Sequence, residues 1–113
     1  MKVKQRMETI EISDIDGDFR WSDIDPNVHG WYINHIQFVP GAGDDIIVIK
    51  NGVPPDEDDP IIFFHHASAV SDTQFRQFYG ACVEFFIDYG ASTLSTGHKV
   101  IVQLMPKGGA FIR

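Results

Sequence analysis

The residues with the most chemical potential in this chain are acidic. Asp14-Ile15-Asp16-Gly17-Asp18 sets three carboxylates at alternate positions. That is the oxygen spacing of a loop for a hard cation, and Asp25 stands at the twelfth position of such a loop. The glycine, however, is fourth instead of sixth, the twelfth residue is not Glu, and no helix pattern flanks the segment. Asp14, Asp16 and Asp18 are therefore cation candidates set against a simpler reading as a solvated acidic turn. A second acidic run, Asp56-Glu57-Asp58-Asp59, reads as a repelled loop tip. His65-His66 suggests a transition metal, yet neighbouring residues on a strand face opposite sides and do not chelate one ion. His29, His35 and His98 are far apart in sequence and lack zinc spacing. No metal and no cofactor is expected.

Nucleophilic catalysis lacks a signature too. There is no G-x-S-x-G, and nothing ties Ser68, Ser71, Ser92 or Ser95 to a particular histidine and acid. Cys82 lies among apolar residues and reads as a small buried hydrophobe. Gly41-Ala42-Gly43 is followed by acids, the wrong sign for a phosphate cradle. No catalytic residue emerges, and the chain reads as a non-enzyme.

Composition narrows the partners. The chain has 113 residues and a net charge of −7, with nine Lys and Arg against sixteen Asp and Glu. A phosphate backbone is repelled by such a surface, and the scattered cations form no basic face, so nucleic acid is not an expected partner. No window approaches the roughly 18 apolar residues of a membrane span. Residues 1–6 are basic, but no apolar stretch follows as in a signal peptide, and they read as a flexible lead-in to one domain over residues 1–113. The single cysteine rules out an intrachain disulfide.

The elements that must position these groups are short and extended. In 8–13, Ile10 and Ile12 share one face, the alternation of a half-buried strand. Residues 19–21 suggest a short second strand. Segment 30–39 is rich in Tyr, Ile, Phe and Val, although its spacing fits neither period cleanly. Segment 45–50 is apolar on both faces and reads as a central strand, joined to 30–39 by a hairpin loop at Pro40-Gly41-Ala42-Gly43-Asp44. Segments 61–65, 83–88 and 98–105 complete the strands. In 72–79, Phe75, Phe78 and Tyr79 fall at helical spacing, so a single helical turn or a loop is expected there. Residues 22–30 and 90–97 read as loops, and 110–112 as a short tail. Seven or eight short antiparallel strands with frequent turns and no long helix predict an all-β domain, a β-sandwich of jelly-roll-like kind.

The aromatic residues read first as core and subunit contacts. Phe63-Phe64 and Phe85-Phe86 each send one ring to either side of a strand, so one ring of each pair lies in a second buried layer or on an interface. Phe63, Phe64, Phe85, Phe86 and Trp31 are the interface candidates.

Several segments in order carry a likeness to known proteins: Ile36-Gln37-Phe38-Val39-Pro40-Gly41; Asp44-Asp45-Ile46-Ile47-Val48-Ile49-Lys50-Asn51-Gly52; Ile61-Ile62-Phe63-Phe64; Phe78-Tyr79-Gly80; Phe85-Phe86-Ile87-Asp88; and Leu94-Ser95-Thr96-Gly97-His98-Lys99-Val100-Ile101-Val102-Gln103-Leu104. Over residues 33–104 this order resembles small structural, virion-associated proteins of tailed bacteriophages and prophages. The resemblance implies a particle or assembly component without catalytic residues. It also implies self-association into oligomers, other virion proteins as possible partners, and a place in the virion or the host bacterial cytoplasm. Two readings compete. Trp21, Trp31 or Tyr32, if exposed beside acids, would suit a small carbohydrate- or ligand-binding β-module. Converging histidines would suit a cupin-like metalloenzyme.

Overall fold

A computed structural model of the chain describes residues 1–21, 30–52 and 59–105. Asp25, His29, the acidic residues Asp56, Glu57 and Asp58, and the tail 110–112 lie outside the described residues. The described residues form nine strands: β1 (Lys2–Arg6), β2 (Thr9–Ser13), β3 (Phe19–Arg20), β4 (Trp31–Val39), β5 (Ile46–Asn51), β6 (Ile61–His66), β7 (Gln74–Val83), β8 (Phe85–Ile87) and β9 (Lys99–Leu104). They build two antiparallel sheets, β1-β2-β9-β4-β7 and β3-β8-β5-β6. The inner faces meet in one hydrophobic core. Ile10, Ile12, Ile33, Ile36, Phe38, Val100 and Val102 come from the five-stranded sheet, and Phe19, Ile47, Ile49, Phe63, Phe85 and Ile87 from the four-stranded one. The expected β-sandwich is therefore the architecture found.

Alternation explains the regular strands. Ile10 and Ile12 of β2 and Val100 and Val102 of β9 are buried, with polar or half-buried neighbours between them. In β5 the residues from Ile47 to Lys50 are all buried, so both faces of this strand are covered. Lys50 survives there because its Nζ lies 2.9 Å from Asp88 Oδ2.

Four expectations are corrected. Residues 1–6 were expected as a flexible lead-in, but Lys2–Arg6 pairs along its whole length with β2. Segment 72–79 holds no helical turn: β7 begins at Gln74 and pairs with β4. The helical spacing of its aromatics is a by-product of a bulge. Ile33 of β4 faces Ala81 and His35 faces Gln77, so one residue of β4 opposes three of β7. Tyr79 and Gly80 take up the excess with φ of 52° and 82°, which turns the Tyr79 ring outward. Asn34 is likewise an extra residue against β9. It moves the buried positions of β4 from Trp31 and Ile33 to Ile36 and Phe38, which is why neither period fits that segment. Next, 83–88 is not one strand. The chain leaves the five-stranded sheet at Val83 and enters the other at Phe85, with the Glu84 N–H donating to Asn51 Oδ1 at 2.7 Å. Finally, the turn after β4 makes no hairpin, since β4 and β5 lie in different sheets.

That crossing fixes Gly41. A Cβ on Gly41 would stand 2.4 Å from the carbonyl oxygens of both Ser95 and Thr96. Both obstacles are backbone, so neither yields by changing rotamer. Gly41→Ala is expected to cost about 1–3 kcal/mol, as overpacking does, checked by urea denaturation with an unchanged m-value.

Candidate functional site

Two surfaces concentrate the groups available to a partner. The first is the side where β6 and β7 lie. A sheet edge offers unpaired backbone N–H and C=O groups, and proteins guard such edges with charges, with bulges, or by keeping them very short. The two sheets have four edges: β1, β7, β3 and β6. β1 carries Lys2, Lys4 and Arg6, and β3 has two residues. β6 and β7 differ. In a chain with sixteen acids, neither strand contains one, and Arg76 is the single Lys or Arg of the two. Its guanidinium is engaged locally, with Nη1 donating to the Ile62 carbonyl and the group lying 4.8 Å from the Phe78 ring centroid. Around these strands Ile61, Phe64, Val70, Phe75 and Tyr79 are exposed, Tyr79 by 84%. β7 is also the longest strand described, with ten residues. Apart from the bulge at Tyr79 and Gly80, nothing in its sequence guards it.

The loop from Ala67 to Thr73 holds the two edges in place. The Asp72 carboxylate accepts from the Ser68 N–H at 2.8 Å and from its hydroxyl at 3.1 Å, and lies 3.2 Å from His65 Nε2. The Ser68 backbone bond most strongly stabilises the Asp72 carboxylate; the Ser68 hydroxyl and His65 add to it, and the Asp72 pKa is lowered.

The second surface is the outer face of the five-stranded sheet. Cross-strand partners share a face, and the registers set them in rows. Lys2, Ser13, Lys99 and Val39 make one row, Lys4, Glu11, Ile101, Gln37 and Phe75 the next, and Arg6, Thr9, Gln103, His35 and Gln77 a third. The cations read as scattered in the sequence are thus partly gathered, since Lys2, Lys4, Arg6 and Lys99 stand on one face. The alternation in Lys2-Val3-Lys4-Gln5-Arg6 carries that signal once the segment is read as a strand.

The sequence-derived candidates are dispersed. The three carboxylates of the acidic turn go to separate partners. Asp14 lies 3.5 Å from Lys2 Nζ, Asp16 lies 3.5 Å from the N-terminal ammonium, and Asp18 accepts from the Tyr89 N–H at 2.9 Å. Among the described residues no three His, Cys, Asp or Glu side chains are grouped to hold a metal ion. The histidines separate as well. His65 faces Asp72, His66 lies 3.2 Å from Asp44, and His35 lies tilted against Phe75 with centroids 4.7 Å apart. His98 is buried: its Nε2 accepts from the Ile15 N–H at 2.9 Å and its Nδ1 lies 2.7 Å from the Ser95 carbonyl. Those partners define a neutral tautomer with the proton on Nδ1. Cys82 is exposed, beside Tyr32 across the strand pair, and not the buried hydrophobe expected.

Most interface candidates prove to be interior. Phe63, Phe85 and Trp31 belong to the core between the sheets, with Trp31 stacked on Phe85 at 5.0 Å between centroids. Phe86 is buried on the opposite face of its sheet, with the Arg20 guanidinium 5.9 Å from its centroid. Phe64 alone of the five is exposed, on the outer face of the edge strand β6, which nothing among the described residues covers there. Of the ring platforms proposed for a sugar, Trp31 is buried and Trp21 packs edge-on against it at 5.5 Å, while Tyr32 is exposed.

Asp45 was missed altogether. It is buried, and its Oδ2 accepts from the N–H groups of Gly41 at 2.8 Å, Ala42 at 3.3 Å and Ser95 at 3.1 Å. Its Oδ1 accepts from the Ser95 hydroxyl at 2.6 Å. It ties the 40–45 crossing to the 93–97 loop. No helix among the described residues is long and apolar enough to cross a membrane. In comparisons with known proteins, no family model, curated protein or solved structure matches this chain.

Proposed function

We propose that this chain is a non-enzymatic structural component of a tailed-phage or prophage particle, a β-sandwich that assembles with copies of itself along its β6 and β7 side. The phage assignment rests on the segment order over residues 33–104. The mode of assembly rests on one observation: β6 and β7 are edges free of acids and lined by exposed Ile61, Phe64 and Tyr79, while the other two edges are charged or very short. A second copy is the fitting occupant. Like strands pair edge to edge about a two-fold axis, and the repulsion expected from a net charge of −7 is weakened where the strands carry no acid and the neighbouring Asp72 and Asp44 lie against His65 and His66.

The test is the solution mass by light scattering after size exclusion. The unmodified chain is expected at a multiple of 12.7 kDa. A variant carrying Phe64→Lys and Gln77→Lys, which places on both edges the guard already present on β1, is expected at the monomer mass. An unmodified chain that stays monomeric as concentration rises would overturn self-association. An oligomer that survives both lysines would overturn the assignment of the contact to this side.

A further inference from the structure

The outer face of the five-stranded sheet is not needed for that assembly, and its chemistry is different. Over β1 and β2 it forms a concavity of about 440 Å3 lined by Lys4, Arg6, Thr9 and Glu11. Glu11 is compensated by Lys99 Nζ at 3.4 Å. Among the described residues, Lys4 and Arg6 have no ion-pair partner. The Thr9 hydroxyl donates to Gln103 Oε1 at 2.7 Å, which leaves the Thr9 oxygen as an acceptor and the Gln103 amide N–H groups as donors. His35 and Gln37 continue these rows across β4.

From this face we infer a binding surface for an acidic polysaccharide, a chain of hydroxyl-rich sugars bearing carboxylates, with Lys4 and Arg6 holding a carboxylate and Thr9 and Gln103 holding neighbouring hydroxyls. Two features set this ligand apart from nucleic acid. Duplex DNA carries one negative charge per roughly 1.7 Å of its axis and needs a long run of phosphate contacts. Here four cations share the face and the whole molecule is at −7, so a dense polyanion is repelled beyond the concavity. A uronate chain brings sparser charge and many hydroxyls, matching a row in which Thr9, Gln103, His35 and Gln77 stand beside the Arg6 cation. Arginine also suits carboxylate, because its planar fork donates two parallel hydrogen bonds.

The experiment is titration calorimetry of the full chain with polygalacturonate, with neutral dextran and a duplex DNA oligonucleotide run in parallel. Polygalacturonate is expected to bind more tightly than either. The variant Lys4→Ser with Arg6→Ser is expected to lose on the order of 100-fold in affinity, about tenfold for each charge-assisted contact. The variant Thr9→Val with Gln103→Leu keeps every charge and removes both hydrogen-bonding groups, and is expected to lose roughly tenfold. Both pairs lie on the sheet surface, and unchanged thermal unfolding would show that the fold is kept. The inference is overturned if polygalacturonate does not bind, if DNA binds as tightly, or if the Thr9→Val and Gln103→Leu variant binds as well as the parent, since that would be ion exchange without sugar recognition.

Discussion

Asp45→Ala is expected to destabilise the domain by about 3 kcal/mol or more, out of the roughly 5–15 kcal/mol that holds a typical domain folded. The carboxylate is the acceptor for three backbone N–H groups and one hydroxyl. Removing it strands those donors where water has little access, at about 1–3 kcal/mol for each buried donor left unmade, with partial relaxation making the sum less than additive. Asp45→Asn is expected to fall between, since an amide keeps one oxygen acceptor but turns the other site into a donor facing N–H groups. The effect carries a pH signature. Burial raises the Asp45 pKa, but the Ser95 hydroxyl and the N–H groups of Ser95, Gly41 and Ala42 outweigh it, and the carboxyl titrates below its ordinary value near 3.8. A carboxyl depressed in the folded state stabilises above its unfolded pKa, and that contribution is lost as pH falls through the folded value. Asp72 is depressed in the same direction and has the same sign. The parent is therefore expected to hold its stability from neutral pH down to about pH 4 and to lose it steeply below, whereas Asp45→Ala starts lower and falls less. Urea midpoints measured from pH 7 to pH 2.5 check this, and equal slopes for the two proteins in acid would contradict it.

The second large effect separates core from surface among the aromatics. Phe85→Ala is expected to cost about 3–5 kcal/mol, in the range for a buried phenylalanine. Its ring fills the core, stacked on Trp31 at 5.0 Å and edge-on to Phe19 at 6.2 Å. Phe64→Ala, on an edge strand with 57% of the residue exposed, is expected to change the stability of the separated subunit by less than about 0.5 kcal/mol and to act on assembly instead. Denaturation at a concentration low enough to dissociate oligomers, paired with the solution mass, distinguishes them. Comparable losses of folding stability from both changes would contradict the division.

The pair also shows where the sequence could and could not be read. Adjacent aromatics on a strand must diverge, and Phe63 and Phe64 do. Which ring points inward depends on which face of the strand the other sheet covers, and that is a tertiary fact. Phe85 and Phe86 are both buried, Phe85 in the core and Phe86 on the other face of the sheet beside Arg20 of the neighbouring β3, which no local pattern announces. Strands β2 and β9 are legible because each keeps one period along its length, and β5 because its apolar run is unbroken. β4 was recognisable by composition but not by period, since the extra residue at Asn34 exchanges its faces midway. β7 was misread because it buries only Val83 at its end, so burial imposes no alternation along it, and its bulge left three aromatics at helical spacing. Asp45 was invisible for a different reason. In sequence it is one acid at the end of a glycine turn, and half of its role, the link to Ser95, comes from a residue that folds back onto it from fifty positions away.

The four sheet edges carry the account. Among the described residues two are guarded by charge or by length, and the other two, β6 and β7, carry no acid and expose Ile61, Phe64, Phe75 and Tyr79. Hydrogen exchange at the backbone amides of β6 and β7, followed over a concentration series by mass spectrometry, tests that claim most directly. Amides within Ile61–His66 and Gln74–Val83 are expected to become protected as concentration rises, while those of Lys2–Arg6 stay unchanged. Exchange in β6 and β7 that is the same at every concentration, or protection that builds on β1 instead, would contradict it.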